Sequence, residues 1–193
     1  MKAAWLGLGL VLALAGCVDA PMESGMVPAD EVLPPGYPPQ IGTVTASLNG
    51  AAQSWDTYDY SVGSLDAAVQ IMGFNGLQFR LMGDPKGQPN SDVNRLLIKA
   101  AMKSPTQTGA LTDVVIEIVA GKAFDGPRLT SVGSAATLVL DSLTPMAAGS
   151  YGHVTGHFTA TMCGATGEPP MLNRTACQPF EGIFSSDLQI SGP

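Results

Sequence analysis

His153 and His157 are the only histidines in this chain of 193 residues, and imidazole is the first side chain to weigh for proton or metal chemistry near neutral pH. On a helix, two histidines four residues apart would share a face and could clasp zinc. On a strand they also share a face, but sit about 13 Å apart at ~3.3 Å per residue, too far for one ion. Serine hydrolase chemistry lacks its usual signature. There is no Gly-x-Ser-x-Gly, and neither histidine has an evident partner in the sequence. The stretch "AGKAFDG", residues 120–126, lacks the upstream glycine of a phosphate loop.

Two other stretches carry candidate ligand chemistry. In "WDTYDY", residues 55–60, strand alternation puts Asp56, Tyr58 and Tyr60 on one face and Trp55 with Asp59 on the other. Aromatic rings beside carboxylates suit a sugar, whose apolar face stacks on a ring. Trp55, Asp56, Tyr58 and Tyr60 are therefore the candidate ligand-binding residues, with core packing as the plainer use of the same side chains. Asp84, Asn90, Asp92 and Asn94 surround a loop that offers oxygens to calcium, although it lacks the glycine and distal glutamate of a known calcium loop. No metal site and no cofactor is expected from these patterns.

The elements that must position these residues read as strands. "IGTVTASLNGAAQSWDTYDY" alternates through Val44, Ala46 and Leu48, turns at Asn49-Gly50 and runs on extended. Asn-Gly between alternating runs is the strongest short hairpin signal, because both residues tolerate positive φ. "AAVQIMGFNGLQFRLMGD" repeats the scheme at Asn75-Gly76, and a two-residue turn there pairs Phe74 with Leu77 and Met72 with Phe79. Residues 92–103, "DVNRLLIKAAMK", fit a helical stripe and a strand alternation alike; strand neighbours on both sides favour strand. "LTDVVIEIVAG" and "AATLVLDSLTP" are β-branched runs bounded by Gly and Pro.

The N-terminus explains a third cysteine. Lys2 precedes an apolar run ending in small residues, the form of a secretory signal peptide. A bilayer crossing needs about 20 apolar residues, more than this run supplies. Leu14-Ala15-Gly16-Cys17 resembles the bacterial lipoprotein signal, the lipobox, at all four positions. The resemblance implies cleavage before Cys17, diacylglycerol on its thiol and an acylated new amino group. Val18, where an aspartate would imply retention in the inner membrane, points by the same resemblance to the outer membrane, facing the periplasm. Residues 18–40 hold six prolines, four carboxylates and no Lys or Arg. Such a segment favours extended conformations and has little to bury. It reads as a disordered tether reaching at most about 70 Å. The expected organisation is signal peptide 1–16, lipidated cysteine and tether 17–40, and one folded domain 41–193.

With Cys17 carrying lipid, Cys163 and Cys177 are left as a pair in an oxidising compartment, and a disulfide follows. If the two face each other across an antiparallel pair, Phe158 faces Gly182 and Gly156 faces Phe184. Each ring then covers the glycine of the other strand. Val154, Phe158, Ala160, Phe180, Phe184 and Leu188 share the buried face. Disulfide and Gly/Phe pattern give one register independently.

About nine short antiparallel strands with regularly spaced turns argue for an all-β domain, a β-sandwich or a barrel-like two-sheet fold. From Gly42 onward the layout resembles a diffuse group of bacterial envelope lipoproteins of unknown function. They share an opening "G-x-V-x-A-x-L-N-G" hairpin and a closing "V-x-G-x-F-x-A-x-x-C…C-x-P-x-E-G-x-F" hairpin, which implies fold and location only. Net charge is −7, and one unit more negative once Lys2 leaves with the signal. That excludes a basic nucleic-acid footprint and a polybasic lipid patch. The expectation is a lipid-anchored, non-catalytic envelope protein, structural or binding another protein, with a small-ligand module for glycan or calcium as the alternative.

Overall fold

The computed structural model describes residues 38–60, 69–73, 76–121, 126–144, 152–167 and 169–191. The chain separates into two units, Met1–Pro34 and Pro35–Pro193, and all described residues lie in the second. Among them there is no helix. Eleven strands follow in order: β1 Gln40–Leu48, β2 Ala51–Tyr58, β3 Val69–Met72, β4 Leu77–Pro85, β5 Arg95–Met102, β6 Gly109–Ala110, β7 Thr112–Val119, β8 Arg128–Thr130, β9 Ala136–Thr144, β10 Gly152–Thr166 and β11 Met171–Ser191. The domain is all-β, and the ambiguous 92–103 segment is strand β5, hydrogen-bonded to β4 on one side and β7 on the other.

The strands form one continuous sheet that returns on itself. β1, β2, β4, β5, β7, β8, β10 and β11 pair in succession, and β11 pairs back to β1. The long strands turn the corners. β10 serves β9 along His153–Ala160 and β8 along Cys163–Ala165, while β11 serves β1 and then runs parallel to β3. β6 extends the sheet beyond β9.

The first hairpin turns on Asn49 and Gly50, with φ of 50° and 83°, the paired positive values a type I′ turn requires. The C-terminal hairpin keeps the expected register: Cys163 faces Cys177, Phe158 faces Gly182 and Gly156 faces Phe184. Cys163 and Cys177 are disulfide-bonded. A Cβ on Gly182 would lie 2.6 Å from Phe158 Cζ, and one on Gly156 would lie 2.6 Å from Phe184 Cζ. Both glycines are the space into which a ring fits.

The β3–β4 register differs by one residue from the expected one. Ile71, not Met72, faces Phe79, and Val69 faces Leu81. The expected pairing would have set Gln70 opposite Leu81 on the buried face. The observed one sets Ile71 opposite Phe79, with Ile71, Phe79 and Leu81 all in the apolar core, while Gln70, also buried, faces Arg80. Since a one-residue slip exchanges the faces of a strand, the apolar pattern overrides the two-residue turn. The Phe74–Leu77 pairing lies outside the described residues.

The inward-facing residues of the strands form a core with aromatic side chains at its centre. Trp55 stands edge-on to Phe180 at 6.0 Å, and Phe180 meets Phe158 at 5.1 Å. Val154, Phe158, Ala160, Phe180, Phe184 and Leu188 are all buried there.

Candidate functional site

The two sequence candidates for ligand binding, "WDTYDY" and the 84–94 loop, meet in space. The closure of β2 on β4 sets Asp56 directly opposite Asp84, and both carboxylates are almost wholly buried. Two adjacent buried anions are costly unless donors surround them. The loop after β4 supplies those donors. Gly87 N donates to Asp56 Oδ2 at 2.8 Å, and Asn90 N donates to Asp84 Oδ2 at 2.7 Å. Arg95 Nε lies 3.2 Å from Asp84 Oδ1, and Gln40 Nε2 donates to Asp56 Oδ1 at 3.0 Å.

The tyrosines complete the cluster. Tyr60 donates to Asp84 at 3.0 Å while accepting from Asn90 N at 2.9 Å, and Tyr58 donates to Asp56 at 3.3 Å. Burial, and then the neighbouring carboxylate, raises both phenol pKa values above the ordinary tyrosine range, Asp56 acting on Tyr58 and Asp84 on Tyr60. Trp55 is 2% exposed and donates its indole N–H to Asn94 O at 2.7 Å. Asn90 and Asn94 have φ of 59° and 54°, the left-handed region that asparagine tolerates. These polar groups fasten the loop to β2. The Trp55 ring packs within the core cluster.

A different set of polar side chains faces outward. On β1, β11, β10 and β9, the residues between the core positions form a broad surface of hydroxyls, carboxylates and both histidines. Hydroxyl pairs span neighbouring strands, Thr137 with Thr159 and Ser142 with Thr155, each at 2.7 Å. Ile183 stands in the middle at 62% exposure. A depression of about 460 Å³ lies on one side of it, lined by His157, Thr159 and Glu181 among others. Another of about 300 Å³ lies on the other side, lined by Thr43, Thr45, Asp141, Thr155 and Ser185 among others.

Each histidine has a carboxylate partner on this surface. His153 Nδ1 lies 2.9 Å from Asp187 Oδ1, and its Nε2 lies 3.1 Å from Ser185 Oγ. His157 Nδ1 lies 3.0 Å from Asp141 Oδ1. The C-terminal register that the sequence supplies already places Asp187 opposite His153. Asp141 is harder to foresee. The β9–β10 ladder steps from Ser142↔Thr155 to Leu140↔Gly156, so Asp141 is an inserted bulge residue, and bulges re-aim side chains. Among the described residues, no three His, Cys, Asp or Glu side chains converge on one point.

No family model matches this chain, and no curated protein or solved structure matches it.

Proposed function

We propose that this chain is a lipid-anchored protein of a bacterial cell envelope, held at the outer membrane by acyl chains on Cys17. A proline-rich spacer carries its β domain clear of the bilayer, and the domain serves as a protein-interaction component on the periplasmic side. The observation that supports the interaction role is the outer face of β1, β11, β10 and β9, with Ile183 62% exposed at its centre. An isolated aliphatic side chain on a polar sheet is common enough. Here it lies between two depressions on a face rich in hydroxyls, which suits an apolar anchor within a polar contact surface. The Asp56–Asp84 cluster, by contrast, directs its polar groups at its own loop.

A photo-crosslinking residue at position 183 in intact cells tests this reading. A discrete adduct is expected from position 183, and none of the same size from position 93, whose Val93 is 48% exposed in the β4–β5 loop. Absence of any adduct, or identical adducts from both positions, would contradict it.

A further inference from the structure

We propose that Ser185, His153 and Asp187 form a nucleophile, general base and positioning carboxylate that attack neutral carboxylic esters seated in the depression beside Ser185. The geometry has the form such chemistry needs: a hydroxyl within hydrogen-bond reach of a base, and the base oriented by a third group. His153 bridges the other two through its two ring nitrogens, 3.1 Å to Ser185 Oγ and 2.9 Å to Asp187 Oδ1. The sheet fixes the arrangement. Ser185 and Asp187 are two residues apart on β11 and so share a face, while Asp187 is the direct cross-strand partner of His153. Ser185 also lines the 300 Å³ depression, which places a space for a substrate beside it.

The surroundings indicate the substrate class. The depression combines hydroxyl-bearing Thr43, Thr45 and Thr155 with the aliphatic Ile183, and Asp141 contributes a carboxylate. No Lys or Arg lines the depression to pair with an anionic acyl group, whereas a short neutral one has both apolar and hydrogen-bonding contacts. Ser185 is paired with β1 on one side and β10 on the other. Side-chain hydroxyls rather than strand amides are therefore the donors for a developing oxyanion.

The step balances without a further reactant. Ser185 Oγ bonds to the carbonyl carbon as its proton passes to His153 Nε2. The bond to the leaving alcohol then breaks, and the departing oxygen takes that proton. Water repeats the sequence on the acyl-serine, releasing a carboxylic acid and restoring Ser185. Asp187 touches no reacting atom and acts by holding the imidazole.

This activity goes beyond the interaction role, and its test is read on the isolated chain rather than in cells. Full-length protein extracted in detergent is treated with a fluorophosphonate, in which serine oxygen displaces fluoride from phosphorus, and the modified residue is located by mass spectrometry. The folded chain is expected to be labelled at Ser185 faster than the heat-denatured chain, and to hydrolyse p-nitrophenyl acetate. Ser185→Ala should abolish labelling, and His153→Gln should slow it by about 100-fold, the low end of a positioned base's contribution. Asp187→Asn, which keeps shape and hydrogen-bond acceptor, should also slow it, with partial rescue by Asp187→Glu; a merely structural role would tolerate Asn. Folded wild-type protein labelled no faster than denatured protein, or labelled at another residue, would overturn the proposal without recourse to any variant.

Discussion

Gly182 lies under the ring of Phe158 and beside Ala46, and a methyl group there would come within 2.7 Å of Ala46 Cβ and Thr45 O as well as 2.6 Å from Phe158 Cζ. Backbone cannot yield as a side chain can, so Gly182→Ala is expected to destabilise the fold by about 1–3 kcal/mol, the usual cost of overpacking. A denaturant midpoint unchanged from wild type would show that the ring does not occupy that space. Tyr58 and Tyr60 give a prediction in pH. Burial and the adjacent carboxylates favour their neutral phenols in the fold, whereas unfolded tyrosine ionises near ~10. The unfolded chain then releases protons that the fold retains, so stability is complete below that value and falls as pH rises beyond it. Tyr58→Phe and Tyr60→Phe should each flatten the alkaline loss of stability measured by urea unfolding. Individual residues were unevenly legible. The buried faces of Phe158 and Phe184 follow from alternation and from two glycines that leave space for rings. The partnership of Asp56 with Asp84 does not, because it exists only where two distant strands close the ring.

At the scale of elements, the C-terminal hairpin was the most legible because two unrelated constraints coincide there. In the β3–β4 hairpin, Asn75-Gly76 implies a two-residue turn, while the pairing of Ile71 with Phe79 sets the register one position away. The same hairpin scale gives the test of the disulfide. Beyond Cys163↔Cys177, the ladder resumes at Gly164↔Asn173, with Arg174, Thr175 and Ala176 looped out. The bridge closes this loop next to a ribbon whose Met171 is 72% exposed. Cys177→Ser is expected to cost about 3 kcal/mol in the chain-entropy account of a 15-residue loop. Amide exchange should accelerate most around residues 171–176. Equal acceleration across β5 and β7 would mean that the bridge holds the whole domain rather than its ribbon.

At the scale of the molecule, all-β architecture was legible from alternation and turn spacing. Closure was not, because the β2–β4 and β11–β3 pairings join segments that no local pattern links. On the proposed reading, the address of this β domain is written outside it, in Leu14-Ala15-Gly16-Cys17. A single acyl chain binds membrane marginally, and each buried methylene contributes about 0.8 kcal/mol, so two or three chains on one residue amount to lasting attachment. On the proposed reading, Cys17→Ser leaves no site for them. The decisive measurement is membrane fractionation of the wild-type chain and Cys17→Ser in a bacterial host, with mass spectrometry of the mature N-terminus. The account predicts an acylated Cys17 in the outer-membrane fraction and a variant that loses both acylation and that attachment. Wild-type protein with an unmodified Cys17, or a Cys17→Ser variant that stays in the same membrane fraction, would contradict it.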